Sequence, residues 1–103
     1  YTNVEIYNPE TKRFSKIGDL WLSRYKLQGT SVLLKNGKVL IAGGTKQAEV
    51  FNPATNLFEI VAGSFETERL FSTATRLPNG QVLVVGGYNV RIQVSASAWV
   101  FES

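Results

Sequence analysis

The clearest hydrophobic signals along the chain are two short continuous runs, Val39-Leu40-Ile41-Ala42 and Val82-Leu83-Val84-Val85. Runs of this length, rich in β-branched residues and without polar alternation, suit strands covered on both faces. Each run lies one residue beyond an Asn-Gly pair, Asn36-Gly37 and Asn79-Gly80. Asn-Gly accepts positive φ at both centres of a tight turn, so each pair predicts a hairpin leading into its run. Gly43-Gly44 and Gly86-Gly87 follow the two runs, where the backbone must bend or approach a neighbour closely. Further apolar segments at 4–7, 48–51 and 98–101 read as strands, and the first two run into Asn8-Pro9 and Asn52-Pro53, which are turn signals. No helical period is convincing. The best stretch, 20–27, corresponds to a loop in the second half of the chain.

These segments recur. Glu5-Ile6-Tyr7-Asn8-Pro9-Glu10-Thr11 returns 44 residues later as Glu49-Val50-Phe51-Asn52-Pro53-Ala54-Thr55, and Phe14 returns as Phe58. The stretch from Asn36 to Gly44 returns 43 residues later, from Asn79 to Gly87. Between these blocks Lys26 falls opposite Arg69, and Thr30 opposite Thr73. Agreement in separate blocks predicts an internal repeat, with boundaries near 1–46 and 47–89 and a third repeat beginning at 98. Each repeat holds up to four strands: a first at 29–34 and 72–77, a second at 38–42 and 81–85, a third at 4–7, 48–51 and 98–101, and a fourth at 13–17 and 57–61. Small residues in the first strand (Gly29, Thr30, Ser31; Ser72, Thr73, Ala74) predict a crowded inner position. The recurring aromatics Tyr7, Phe14, Phe51, Phe58 and Phe101 predict a core between sheets.

Four features together resemble the kelch repeat over nearly the whole chain. They are the di-glycine after a hydrophobic strand, the Tyr/Phe-Asn-Pro-x-Thr turn, the aromatic three residues on, and a basic residue ahead of the first strand. Phe14 and Phe58 stand where the family carries tryptophan, and 88–97 is longer than its counterpart 45–47. The resemblance implies an all-β fold of kelch-type β-propeller blades, each of four antiparallel strands, as a partial propeller within one chain. Propellers close with about 4–8 blades, and repeat units need neighbours to cover their apolar faces. The strand order predicts one complete blade and two partial ones. Tyr1 in place of Met predicts a segment of something longer, processed or engineered. Completion is expected from other blades of a longer chain or from copies assembling into a homo-oligomeric ring, in which the strand near Phe14 completes a neighbour's sheet.

Composition narrows the chemistry. Cysteine and histidine are absent, which excludes disulfides, thiolate or imidazole metal sites, and Ser-His or Cys-His nucleophile pairs within these residues. No catalytic residue, metal ligand or cofactor is implied. Some secreted copper oxidases resemble kelch propellers, but their chemistry needs His, Tyr and Cys; the chain offers at most the scaffold portion of such an enzyme. The Gly-Gly pairs lack a following Lys-Ser/Thr and a helix, so they are turns and not phosphate loops. Glu66 and Glu68 lie two apart beside Arg69 and form no convincing acid/base pair. No run approaches ~20 apolar residues, so no membrane partner is expected.

Charge is unevenly placed. Residues 1–46 carry eight Lys/Arg against three Asp/Glu, and residues 47–103 carry three against five. A basic half joined to an acidic half favours head-to-tail contact between copies. Without a basic stripe interleaved with aromatics, a nucleic-acid partner is not expected. Kelch domains bind partners through loops on one face, often with arginines there, so the resemblance implies a protein or glycan ligand for this chain. Lys26 and Arg69 sit in the loops entering the first strands, and Arg24, Tyr25 and Glu66 share those loops. Tyr88, Asn89 and Arg91 lie in the expanded loop, which makes all eight candidate contact residues. The competing role for Lys26 and Arg69 is a structural hydrogen bond or ion pair between blades, with Glu68 as the candidate acid. Trp21 and Trp99 are expected to pack.

Overall fold

The computed structural model describes residues 1–102. Among them the chain forms nine strands, no helix, and three antiparallel sheets. The strands are β1 (Asn3–Asn8), β2 (Arg13–Asp19), β3 (Ser31–Leu33), β4 (Val39–Ile41), β5 (Glu49–Asn52), β6 (Leu57–Ile60), β7 (Thr73–Arg76), β8 (Val82–Val85) and β9 (Ala98–Phe101). Sheet 1 pairs β1 with β2, sheet 2 has the order β3-β4-β5-β6, and sheet 3 has the order β7-β8-β9. Neighbouring strands are consecutive throughout, so every connection within a sheet joins adjacent strands and no crossover is needed.

The turns follow from their residues. The Asn8 and Asn52 side chains accept backbone N–H groups two residues on, from Glu10 and Ala54. Lys12 and Asn56 then take positive φ to close the two turns. Asn36 and Asn79 accept from Lys38 and Gln81 in the same manner. A register shift between Val4 and Glu5 leaves Ile17 without an opposite residue in β1. Such a bulge bends one strand over its neighbour, and Ile17 packs into the core between sheets 1 and 2.

Sheet 2 is covered on both faces, and its period-2 alternation sorts its residues accordingly. Val39 and Ile41 join Phe51 and Phe58 against Val4, Ile17, Leu20 and Leu27. Leu40 and Ala42 join Ala48 against Val82, Val84 and Phe65. This double coverage explains the continuous apolar run at 39–42. Arg76 Nη1 donates to the Leu33 carbonyl at 3.0 Å and ties β7 to β3.

Two expectations need correction. Phe51 and Phe58 are buried, but Tyr7 and Phe14, their counterparts, are 47% and 68% exposed. They form the same aromatic pair, with ring centroids at 5.1 Å against 4.9 Å, on the face of sheet 1 turned away from sheet 2. Nothing covers that face among the described residues. The first strands are crowded only where they leave their loops: Thr30 and Ser72 are buried against the di-glycines, whereas Ser31, Thr73 and Thr75 are exposed, because nothing stands inside them among the described residues.

Leu40 has no exposed surface and Leu33 is 59% exposed. Leu40→Ala is expected to cost about 2–5 kcal/mol. Leu33→Ala should stay within about 0.5 kcal/mol. Urea denaturation of the two variants checks this ordering.

Candidate functional site

All eight candidate residues lie at one end of the sheets. Antiparallel order places the loops 20–30, 42–48, 61–72 and 86–97 together at that end, and the tight Asn turns at the other. The di-glycines hold the loops down. Gly44 has φ +81°, and a Cβ there would lie 2.7 Å from the Tyr25 carbonyl oxygen. Gly87 has φ +89°, and a Cβ would lie 2.8 Å from the Leu70 carbonyl oxygen. Only glycine allows both the backbone angle and the approach.

These contacts revise the repeat alignment. Gly44 meets Tyr25 and Gly87 meets Leu70, so Arg24 and Arg69 are equivalent. Lys26 and Phe71 are equivalent too, with φ of 54° and 55°. The stretch from Arg24 to Thr30 is two residues longer than that from Arg69 to Thr73, which is why alignment by strand places Lys26 opposite Arg69.

Arg24 and Arg69 are 1% and 3% exposed, so neither presents its side chain to a partner at the surface. For Arg24 the reason is plain. Its Nε and Nη2 donate to Glu49 Oε2 at 3.1 and 2.8 Å. Nη1 donates to the Gly43 carbonyl at 2.8 Å, and Nη2 also to the Gln47 carbonyl at 2.7 Å. Glu49 is fully buried at the start of β5 and also accepts the Trp21 and Leu22 backbone N–H groups. Burial pulls the Arg24 guanidinium below its ordinary pKa, while the hydrogen bonds and charge of Glu49 oppose this. One ion pair thus pins the loop 20–26 to sheet 2.

Arg69 is different. It forms no ion pair with Glu68, whose carboxylate accepts from the Thr67 hydroxyl at 2.9 Å. Hydrogen bonds from its own backbone N–H and from Thr67 hold the Glu68 carboxyl below the usual range. The Arg69 guanidinium carbon sits 5.9 Å from the centre of the Trp99 ring. Its Nε and Nη1, and Trp99 Nε1, are buried with no acceptor. Trp99 packs edge-on against Phe65, and Trp21 is 68% exposed with Nε1 bonded to the Phe58 carbonyl at 2.6 Å.

The exposed candidates fall into two groups. Lys26 is ringed by aromatics: its Nζ lies 6.0 Å from the Tyr25 ring centre and 5.6 Å from those of Phe71 and Tyr88. It also donates to the Tyr88 hydroxyl at 3.3 Å. Phe71 was not singled out by sequence; the signal was its positive φ beside a lysine, which only the fold reveals. Tyr88 is placed by paired backbone bonds with Leu70. The second group lines a polar cleft of about 320 Å³, where Glu66, Asn89 and Arg91 meet Lys46, Thr67 and Glu68. Asn89 shapes its own turn, with its side chain bonded to the Arg91 and Gln93 backbones. Comparison with known protein families and with curated proteins finds no match for this chain.

Arg24→Met and Glu49→Gln are each expected to cost about 3–5 kcal/mol, because each leaves a buried charge or polar group unpaired. The double variant Arg24→Met/Glu49→Leu should not recover the loss, since the Trp21 and Leu22 N–H groups and the Gly43 and Gln47 carbonyls lose their partners. Urea melts followed by circular dichroism read all three.

Proposed function

We propose that the chain is a segment of a kelch-type β-propeller and serves as a non-catalytic binding or scaffold module. On this reading its three sheets are successive blades, sheet 2 complete and sheets 1 and 3 partial. The ligand is a protein or glycan met at the end where the long loops gather. The observation that carries the reading is the Lys26 cluster. Tyr25 and Phe71 remain 42% and 49% exposed around a cation, although Arg24 and Arg69 in the same loops are buried. Aromatic rings held rigid beside a charge supply contact area at low entropic cost, the usual anchor of a recognition surface. The adjoining polar cleft supplies hydrogen-bonding groups of both signs through Lys46, Glu66 and Arg91. Loops on a rigid repeat scaffold are where binding surfaces are built.

The labelled chain applied to an array of neutral glycans, acidic glycans and acidic peptides is expected to capture a subset of them. Lys26→Ala and Tyr88→Ala should each weaken that capture about tenfold, the loss typical of an interface anchor. Both positions are at least partly exposed, so circular dichroism should be unchanged. Capture indifferent to both substitutions, or turnover by the chain alone, overturns the reading.

A further inference from the structure

We propose that Arg69 and Trp99 mark a docking site for a second copy of this chain, whose β1 replaces β9 beside β8 and brings Glu5 to Arg69. The proposal rests on reading the sheets as successive blades. The strand registers carry it. In sheet 2, Glu49 stands opposite Ile41 and Phe51 opposite Val39. In sheet 3, Trp99 stands opposite Val84 and Phe101 opposite Val82. Trp99 therefore occupies the position that Glu49 holds one sheet earlier. Where Arg24 meets a carboxylate, the equivalent Arg69 meets an indole, and three buried donors are left without an acceptor. Each such donor costs about 1–3 kcal/mol; the exchange gives the two Arg69 donors a carboxylate, frees Trp99 Nε1, and replaces the β8–β9 ladder with a β8–β1 ladder.

Glu5 is the matching acid. It opens the block Glu5-Ile6-Tyr7-Asn8-Pro9, which repeats Glu49-Val50-Phe51-Asn52-Pro53. It is exposed and forms no ion pair among the described residues. Lys16, its opposite number on β2, instead bridges Asp19 at 3.4 Å. The edge of β1 away from β2 pairs with no strand among the described residues. With β1 and β2 of a second copy beside β8, the order β7-β8-β1-β2 reproduces β3-β4-β5-β6.

The apolar surfaces agree with the charges. In the exchanged sheet Tyr7 takes the place of Phe101, and Phe14 takes the place beyond it that Phe58 fills in sheet 2. That place adjoins a cleft of about 180 Å³ lined by Leu40, Ala42, Val61, Phe65 and Phe101. Tyr7 and Phe14, now the most exposed of the recurring aromatics, become buried. The donating segment belongs to the basic part of the chain and the accepting one to the acidic part. The contact is head-to-tail, and repeated at the blade-to-blade rotation of a propeller it closes into a ring. Each copy contributes two sheets, and about two to four copies reach the 4–8 blades of known propellers.

Light scattering and sedimentation of the full chain over ~1–500 µM read the prediction. The mass is expected to be a small multiple of 11.4 kDa. Glu5→Arg should raise the dissociation constant about a hundredfold or more, as loss of one partner in a buried charge pair does. Its position is exposed in the single chain, so its circular dichroism should be native. Arg69→Glu should dissociate the assembly as well, and Glu5→Arg with Arg69→Glu should restore it to within about tenfold. A native-like monomer at every concentration, or an oligomer that Glu5→Arg leaves intact, overturns the exchange. A folded monomer that still captures glycan or peptide through Lys26 and Tyr88 refutes the exchange and leaves the loop surface standing. An oligomer that responds to the charge swap but captures nothing does the reverse.

Discussion

The ion pair between Arg24 and Glu49 is the contact on which the organisation of the described chain depends. It joins a loop that leaves sheet 1 to a strand that lies inside sheet 2. Six hydrogen bonds reach Glu49, the Gly43 carbonyl or the Gln47 carbonyl, and together they close the approach between β4, β5 and the loop 20–26. A charge in an apolar setting is tolerated only when partners satisfy it, and here every listener is provided by backbone or by one carboxylate. The pair needs the di-glycine as well, because any Cβ at Gly44 would push the loop away from β4.

Sheet 3 repeats the framework without the acid. Its loop is seated by the same glycine approach and by the backbone bonds between Leu70 and Tyr88. Its arginine is buried to the same degree, but an indole stands where the carboxylate would be. The cation–π contact offsets part of the cost of burial and leaves directional donors unspent. Sheet 1 has the acid without the arginine. The four-stranded sheet 2 is thus flanked by a two-stranded sheet with the acid but not the arginine and a three-stranded sheet with the arginine but not the acid.

Much of this fold was legible in the sequence because its signals are local. The Asn-Gly and Asn-Pro turns, the β-branched runs and the di-glycines placed all nine strands near their observed positions, and their order followed. The site was less legible. Lys26, Tyr25 and Tyr88 were named from their loops and do come together, and Glu66, Asn89 and Arg91 share the cleft beside them. The kelch resemblance places Arg24 and Arg69 among the loop contacts, with a structural hydrogen bond or ion pair as the alternative for Arg69. Their burial depends on Glu49 and Trp99, which are 25 and 30 residues away, respectively. The two extra residues between Arg24 and Thr30 hide their equivalence.

The sequence by itself determined the repeat, the strand order, the turns and the all-β class, since each rests on the preferences of adjacent residues. Only the tertiary structure decided which charges are buried, which aromatics are covered, and that Phe71 joins Tyr25, Tyr88 and Lys26. Those outcomes depend on how sheets stack, and stacking brings together residues whose separation in sequence carries no pattern. The same Tyr/Phe motif is core in sheet 2 and open surface in sheet 1 for that reason alone: the side chains are alike, and what differs is whether another sheet stands against them.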